Sequence, residues 1–208
     1  MGLATYLELK DSIAKWSKRS DILSITDDFI DIAESLIYSN PDASLRIRDM
    51  EARAYDTMNT IDRFMPLPDG YVEMRNVKLS LDQGEYTVQY VAPEAMVIRS
   101  GESTPCFYTV SSQIEFDCVA SDIYEVEFLY YKSLTPLSSS NLTNAILTRF
   151  PHVYLYGALF ACHDWMKKPE EAAAYYQRFV EAIRGANKLD KDGRYGVAPT
   201  IRSIRRGP

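Results

Sequence analysis

The residues best suited to chemistry form one consecutive triplet, Cys162-His163-Asp164. Their types could supply a nucleophile, a base and a group that orients the base. The surrounding pattern predicts a helix, however, and consecutive side chains of a helix diverge by about 100°. The three groups therefore cannot line up in one relay. We interpret them as a core cysteine beside a surface histidine and a surface aspartate.

The sequence offers no pattern for a metal ion or a phosphate group. His152 is the only other histidine, and its separation from His163 does not match a helical zinc site. No glycine-rich phosphate-binding motif occurs. Residues 190–193 begin like a calcium loop, but Arg194 and Tyr195 follow where that loop needs an oxygen ligand and a glycine. We predict no catalytic residue, no cofactor and no metal, and a protein that is not an enzyme.

Composition is typical of a globular chain that folds without disulfides. The 208 residues are 46% hydrophobic and 25% charged, which is enough for a sizeable core. Cys106, Cys118 and Cys162 are odd in number and far apart, which favours a reducing compartment. No basic segment leads into an apolar run at the N-terminus, and no apolar stretch reaches about 18 residues. We expect neither secretion nor a membrane anchor.

Charge is distributed unevenly along the chain. The net charge is −6 and residues 188–208 carry +4, so the preceding 187 residues carry −10, the difference between the two. We predict that this basic tail is an extended arm that docks on a partner through arginine forks and apolar anchors. The predicted docking residues are Arg194, Tyr195, Ile201, Arg202, Ile204, Arg205 and Arg206.

Hydrophobic periodicity predicts helices at both ends of the chain and strands between them. One helix spans Tyr6 to Trp16, and a second begins near Thr26. Alternating residues separated by turn signals predict a small antiparallel sheet or sandwich in the middle. Pro151 and Pro169 each suit the first position of a further helix.

These elements predict an α+β fold built on an antiparallel helical bundle, because the first and last helices must pack together to bury their apolar faces. On these faces we place Trp16, Ile32 and Trp165, and we expect Gly157 to allow another helix to approach closely. The predicted divisions are residues 1–49 (N-terminal helices), 50–137 (inserted antiparallel β domain), 138–187 (C-terminal helices) and 188–208 (extended basic tail).

The order of several short motifs resembles that of a known family. The segments that carry the resemblance are residues 6–9, 27–34, 45–51, 66–73, 90–94, 107–109, 129–131, 134–138 and 147–159. The best matches are Leu67-Pro68-Asp69-Gly70-Tyr71 and Leu155-Tyr156-Gly157-Ala158-Leu159. Together they resemble the head-to-tail adaptor, or connector, family of short-tailed phages over about residues 5–187.

This resemblance implies a structural protein of the virion neck, made in the host cytoplasm. Members of the family form a homo-oligomeric ring, typically of twelve copies, beneath the portal protein. The implied partners are the portal protein, the tail nozzle protein, tail fibres and other copies of the chain. Double-stranded DNA would pass through the ring without sequence-specific binding. The acidic body suits such a channel, because like charge keeps DNA from adhering.

Two other functions remain open from the sequence. The β domain could bind a ligand or a glycan, with the helices as a base. Alternatively, the basic tail could bind nucleic acid, in which case affinity would fall steeply with salt. The 15 tyrosines suit an interface or a binding surface, because each combines an apolar ring with a hydroxyl.

Overall fold

Contacts divide the chain into two structural units. The computed structural model describes residues 2–82 and 84–195, without the side chains of residues 194 and 195. The first unit combines Met1–Asp49 with Leu134–Pro208, and the second is Met50–Ser133. The α-helices lie in the first unit and the β-strands lie in the second.

The helices of the first unit pack around one central helix. The helices described are α1 (Tyr6–Trp16), α2 (Thr26–Ser39), α3 (Ala145–Arg149), α4 (Pro151–Trp165) and α5 (Pro169–Tyr195). α4 contacts each of the other four. It is apolar around most of its circumference, as expected for a helix enclosed on several sides. α1 and α2 each bury one face.

Local sequence explains where these helices begin. The Thr5 hydroxyl accepts a hydrogen bond at 3.3 Å from the amide three residues later, and this bond caps α1. The Asn144 side chain caps α3 in the same way, at 2.9 Å. Pro151 and Pro169 are the first residues of α4 and α5, where a missing amide proton does no harm. The helix starts predicted at both prolines are confirmed.

A buried carboxylate joins α2, α4 and the segment that leads into α3. Glu34 accepts hydrogen bonds from the Tyr154 hydroxyl at 2.9 Å and from the Leu137 amide at 2.8 Å. The Tyr154 hydroxyl accepts one from Asn144 Nδ2 at 2.7 Å. Burial raises the pKa of Glu34, whereas the bonds from Leu137 and Tyr154 favour its charged form. This network fixes residues 137–144 against the two helices.

The strands of the second unit form one large sheet and one small pair. The strands described are β1 (Glu51–Met58), β2 (Phe64–Met65), β3 (Tyr71–Leu81), β4 (Gly84–Tyr90), β5 (Glu102–Ser103), β6 (Phe107–Val110), β7 (Ile114–Phe116), β8 (Val119–Ala120) and β9 (Tyr124–Lys132). Seven of them form a sheet in the order β1, β9, β3, β4, β6, β7, β2. Its neighbours are antiparallel except β4 and β6, which are parallel. β5 and β8 form a separate parallel pair.

One face of the large sheet encloses the core of the second unit. Every strand of the sheet contributes a buried side chain, for example Met58, Met65, Val77, Val88, Tyr108, Phe116 and Phe128. The described residues of this unit contain no α-helix that could cover the face. The sheet therefore curves around its own apolar side and forms a nearly closed barrel.

The predicted fold class is wrong. We predicted an antiparallel helical bundle with an inserted antiparallel β domain, whereas the strands form a large mixed sheet that is a nearly closed barrel. Alternation along a chain reveals strands, but it does not reveal which strands pair. The connection over residues 91–106 carries the chain back so that β6 runs in the same direction as β4. A parallel pair needs such a long connection, of about a dozen residues or more.

The start predicted for the extended tail, at residue 188, is also wrong, because α5 continues to Tyr195. Asp190 lies on the inward face of α5 and is 1% exposed. Its carboxylate accepts a hydrogen bond from the Arg48 amide at 3.0 Å, and it lies 3.6 Å from the Arg149 guanidinium. Since this inward position is acidic, the apolar periodicity stops near Asn187 although the helix does not.

Three large apolar side chains that were expected inside the first unit are exposed. Trp16, Ile32 and Trp165 are 44%, 46% and 54% exposed. Trp16 meets Tyr156 edge to face at 6.4 Å, and Trp165 lies 6.0 Å from Phe29 between ring centroids. Trp16 and Trp165 are the last residues of their helices, and Ile32 lies outside the buried face of α2, so helical periodicity alone does not predict their exposure.

Candidate functional site: an apolar loop held by an ion pair

The second unit presents an apolar loop to solvent. It follows β4, spans residues 91–101 and contains a 3-10 turn at Pro93–Ala95. Val97 is 75% exposed and Ile98 is 43% exposed. A run of apolar surface of this kind is unfavourable in water and is typical of a protein interaction site. Residues 91–101 are called the apolar loop below.

An ion pair between a partly exposed arginine and a buried aspartate holds the base of the apolar loop. Asp117, which follows β7, is fully buried, and its Oδ2 accepts a hydrogen bond from Arg99 Nε at 2.7 Å. Its Oδ1 accepts bonds from the amides of Cys106 at 3.0 Å and Phe107 at 3.3 Å. The hydrogen bond to Asp117 raises the pKa of Arg99. Three donors thus satisfy the buried charge and fix the position of Arg99.

Backbone and side-chain bonds reinforce the ion pair. The Arg99 amide donates to the Asp117 carbonyl at 2.7 Å, and the Asp117 amide donates to the Phe107 carbonyl at 3.1 Å. Arg99 Nη2 donates to the Thr104 carbonyl at 2.9 Å and to Cys118 Sγ at 3.3 Å. Burial raises the pKa of the Cys118 thiol, so the thiol stays neutral. The apolar loop is therefore preorganised, which lowers the entropy lost when a partner binds.

A cavity lies against the apolar loop. Its volume is about 370 Å³, and its lining is mainly apolar: Val91, Ala95, Met96, Val97, Arg99, Phe107 and Asp117. Phe107 is 39% exposed and belongs to β6, so one wall of the cavity is rigid sheet. A cavity at the small end of the ligand-binding range suits one or two apolar side chains of a protein partner.

A second cavity of the same unit is lined by tyrosines. Its volume is about 470 Å³, and its lining includes Tyr71, Tyr90 and Tyr108 together with Glu73 and Arg75. Tyr90 is 58% exposed, and its ring meets that of Tyr108 edge to face at 5.7 Å. Burial raises the pKa of Tyr108 to about 12, so its hydroxyl stays protonated. Aromatic rings beside one cation and one anion can bind a sugar or a peptide side chain.

Comparison with known families decides what kind of protein carries these surfaces. A family model described as SU10 adaptor protein matches residues 4–203, which is nearly the whole chain. The chain belongs to the SU10 adaptor protein family. No curated protein matches the chain. The resemblance to phage head-to-tail adaptors seen in the sequence is confirmed at the level of the family.

Membership of the SU10 adaptor family makes this chain a structural adaptor protein of a phage and a component of the virion. Among the residues described, no helix combines the length and the apolar character needed to cross a membrane. In the same part of the chain, no cluster of three or more His, Cys, Asp or Glu side chains is arranged to hold a metal ion.

The structure of this SU10 adaptor family member leaves the predicted docking tail untested. The backbone of Arg194 and Tyr195 forms the last turn of α5, and their side chains lie outside the described residues. Ile201, Arg202, Ile204, Arg205 and Arg206 also lie outside them. Their docking role stays a prediction.

The triplet Cys162-His163-Asp164 is placed differently from the interpretation made on sequence. Cys162 is buried as expected and Asp164 is exposed, but His163 is 6% exposed and not at the surface. Its ring stacks on that of Tyr175, with 5.0 Å between centroids. Burial raises the pKa of the Cys162 thiol, which is the opposite of what a nucleophilic thiolate requires.

Sequence reasoning missed Arg99 and Asp117 in this adaptor. Neither charge belongs to a recognisable motif, and nothing in the spacing of the two indicates that they meet. A usable signal was the apolar run Met96-Val97-Ile98 between Pro93 and Gly101. A run of this kind at a loop position is either core or a docking surface, and exposure decides between the two.

Proposed function

We propose that the chain forms a ring of twelve copies that joins the portal protein to the tail nozzle protein and surrounds the DNA as it leaves the head. The observation that carries the proposal is the family match over residues 4–203. The preorganised apolar loop supports it, because a structural adaptor needs exposed surface with a fixed shape.

Within this proposal the apolar loop docks on the tail nozzle protein. Val97 and Ile98 would supply the central apolar contacts, and the adjacent cavity would accept side chains of the nozzle. Interface cores are depleted in charge and gain most of their affinity from a few buried apolar or aromatic side chains. Arg99 holds this surface in place and takes part in docking only indirectly.

The net charge of the chain supports the proposed DNA channel. Residues 1–187 carry −10, and twelve copies of an acidic body would surround the exit path. A negative wall repels phosphates and so keeps DNA from adhering to it.

The remaining surfaces of the ring are proposed to bind the portal protein and the tail fibres. The basic tail is proposed to clamp a neighbouring chain or the portal.

The proposal assigns the chain no catalytic step. The triplet Cys162-His163-Asp164 has its thiol in the core and its carboxylate in solvent. A relay needs the three groups within hydrogen-bond reach of one another.

Electron microscopy of the purified chain mixed with its portal protein tests the ring. We expect rings on the portal with the symmetry of twelve copies. A chain that is absent from purified virions, or that ignores the portal at micromolar concentration, would refute the proposal.

Charge placed in the apolar loop tests its docking role. In phage that carry Val97→Asp with Ile98→Asp, we expect DNA-filled heads that lack the tail nozzle. Ile123→Asp is the matched control, because Ile123 is 67% exposed elsewhere in the second unit. If the doubly substituted phage assembled complete tails, the loop would not be the docking surface.

Removal of residues 196–208 tests the basic tail. We expect the shortened chain to fold normally and to dock on the portal or assemble into rings more weakly. Normal docking by the shortened chain would remove the tail from the proposal.

The tyrosine-lined cavity favours glycan binding as a second candidate function. Tyr90 presents an exposed ring, and Arg75 and Glu73 lie beside it. Titration of the purified chain with neutral oligosaccharides, followed by NMR, tests this function. Saturable shifts that disappear in Tyr90→Ala would support it, and their absence at millimolar sugar would exclude it.

A further inference from the structure

Two of the three cysteines face each other where the pairing of β6 with β7 ends. The two strands are antiparallel, and their pairing extends to Phe107 and Asp117, whose carbonyl and amide bond at 3.1 Å. Cys106 comes immediately before Phe107, and Cys118 comes immediately after Asp117. Residues one step further along an antiparallel pair are again opposed. Cys106 and Cys118 are therefore neighbours across the two segments, and both carry free thiols.

The backbone at this position suits a disulfide. β6 lies between β4 and β7 in the sheet. The Cys106 carbonyl accepts a hydrogen bond from the Gln89 amide of β4 at 2.9 Å, so it points away from β7. Cys106 and Cys118 are thus a non-hydrogen-bonded pair, for which the regular distance between Cα atoms is about 4.5 Å. That distance lies within the range of about 4.4–6.8 Å that a disulfide spans.

Both thiols lie on the same side of the two segments. Side chains two positions apart along a strand share a face. Cys106 therefore shares the face of Tyr108, and Cys118 shares that of Phe116. Both of these rings belong to the buried core of the second unit. The two sulfur atoms consequently point to one side, as a bond between them requires.

The surroundings of the two sulfur atoms overlap. Cys118 Sγ donates to the Ser103 carbonyl at 3.4 Å, and Cys106 Sγ donates to the next carbonyl along the chain, that of Thr104, at 3.6 Å. Arg99 Nη2 lies 2.9 Å from the same Thr104 carbonyl and 3.3 Å from Cys118 Sγ. These contacts are independent of the strand register, and they bring both thiols to one place at the base of the apolar loop.

We propose that Cys106 and Cys118 are an oxidation site, at which a small disulfide such as oxidised glutathione converts the two thiols into one disulfide within the chain. The site goes beyond the proposed function and does not depend on it. A reducing cytoplasm keeps such thiols free, and oxidising surroundings let them pair. A virion component made in a reducing cytoplasm would therefore acquire the bond after release.

The exposure of the two thiols sets the order of the steps. Cys106 is partly exposed, whereas Cys118 is buried. The Cys106 thiolate attacks one sulfur of oxidised glutathione, the disulfide of the reagent breaks, and one glutathione thiolate leaves. The Cys118 thiolate then attacks the Cys106 sulfur and displaces the second glutathione thiolate. The chain loses two electrons and two protons, and the two glutathione molecules take up both.

Arg99 favours the second step. Burial raises the pKa of the Cys118 thiol, the charge of Asp117 raises it further, and the charge of Arg99 opposes the rise. The guanidinium beside Cys118 Sγ stabilises the thiolate as it forms. Since the folded thiol is mostly protonated near neutral pH, the second step should accelerate about tenfold per pH unit there.

Thiol counting after oxidation tests the site. Cys162→Ala leaves Cys106 and Cys118 as the two thiols of the chain. After folded Cys162→Ala is incubated with excess oxidised glutathione at about pH 8, alkylation in denaturant should modify neither cysteine. The intact mass should fall by two hydrogen atoms, and peptide mapping should find Cys106 joined to Cys118. A chain that keeps both thiols, or that carries glutathione without an internal bond, overturns the proposal.

Two single substitutions in the Cys162→Ala chain test the order of attack. Cys118→Ser should stop with one glutathione on Cys106, because the second nucleophile is missing. Cys106→Ser should leave Cys118 unmodified while the chain is folded and reactive once urea unfolds it. Cys106→Ser changes only a partly exposed side chain, so this arm remains informative if Cys118→Ser does not fold. Rapid modification of Cys118 in folded Cys106→Ser would overturn the assigned order.

The oxidised chain should also differ in stability and local motion. The bond joins the start of β6 to the end of β7, beside the contact of Arg99 with Asp117. We expect Tm to rise by about 5 °C and amide exchange over residues 99–107 to slow, with both changes reversed by dithiothreitol. Gel electrophoresis without reductant should show a single chain. A band of twice the mass in place of the internal bond would overturn the pairing.

Discussion

Gly157 of α4 meets Ala33 of α2 at a point where no further methyl group fits. A Cβ built on Gly157 would lie 2.9 Å from the Cβ of Ala33 and 3.0 Å from the ring of Phe179. Ala33 and Phe179 are both fully buried, so neither can move aside without disturbing the core. The close helix approach expected at Gly157 is confirmed. It explains why α4 retains a residue that costs a helix about 1 kcal/mol relative to alanine.

Two glycine substitutions should therefore have opposite effects. Gly157→Ala should lower the free energy of unfolding by about 1–3 kcal/mol, because the strain of overpacking outweighs the gain in helix propensity. Gly185 of α5 has nothing within 4 Å of a built Cβ, so Gly185→Ala should raise stability by up to about 1 kcal/mol. Urea unfolding measures both changes. A stabilised Gly157→Ala protein would show that α2 and α4 can move apart.

Asp117→Asn tests the anchor of the apolar loop. The amide keeps an oxygen for the amides of Cys106 and Phe107 but turns its NH2 group toward Arg99. Because Arg99 then loses its only carboxylate within the described residues, we expect a loss of about 2–3 kcal/mol and faster amide exchange over residues 99–107. Hydrogen exchange followed by mass spectrometry measures this.

The control for that change is Asp122→Asn, since Asp122 is exposed and bonds only to the neighbouring Ile123 amide among the described residues. It should change stability by less than about 0.5 kcal/mol. Equal exchange in both variants would mean that the ion pair does not hold the apolar loop.

Asp190 should control the last turns of α5. Asp190→Ala leaves the Arg48 amide without its acceptor and removes the carboxylate that faces Arg48 and Arg149. We expect a loss of about 2–4 kcal/mol and lower helicity by circular dichroism. Asp192→Ala is the control, because Asp192 is exposed on the same helix. If both variants kept full helicity, the extension of α5 beyond Asn187 would not depend on this carboxylate.

Sequence patterns predicted the secondary structure of each segment well. They predicted less well which segments pair and pack together. The bounds of α1 and the starts of α4 and α5 follow from caps and prolines, which act within a few residues. The parallel pairing of β4 with β6 and the closure of the sheet depend on partners far along the chain, and the predicted fold class failed there. Asp190 shows the same limit within a helix, because a buried acid looks like an exposed one in sequence.

The candidate site was harder to predict from the sequence than the fold was. Val97 and Ile98 are exposed on a loop whose base is held by the bond between Arg99 and Asp117, and these two residues are 18 positions apart along the chain. Family resemblance pointed to assembly, and it did not indicate which surface assembles.

A buried histidine should make the first unit sensitive to mild acid. Neither ring nitrogen of His163 has a hydrogen-bond partner among the described residues. Burial lowers the pKa of His163, the charge of Lys168 lowers it further, and Glu171 acts in the opposite direction. The unfolded chain, with a histidine pKa of about 6.5, therefore binds a proton before the folded chain does. Stability should fall as pH drops below about 6.5, and the loss continues down to the lowered pKa of the folded protein.

Replacement of each histidine by phenylalanine separates the contributions to this pH dependence. His163→Phe keeps a ring against Tyr175 and should reduce the difference between urea midpoints at about pH 7.5 and about pH 5.5, a window that lies above the pKa of unperturbed carboxylates. His152→Phe is the comparison, because partial desolvation also lowers the pKa of His152. His152 is exposed to solvent, whereas His163 is buried. A pH dependence unchanged in His163→Phe would mean that the buried ring takes up a proton as easily in the folded chain as in the unfolded one.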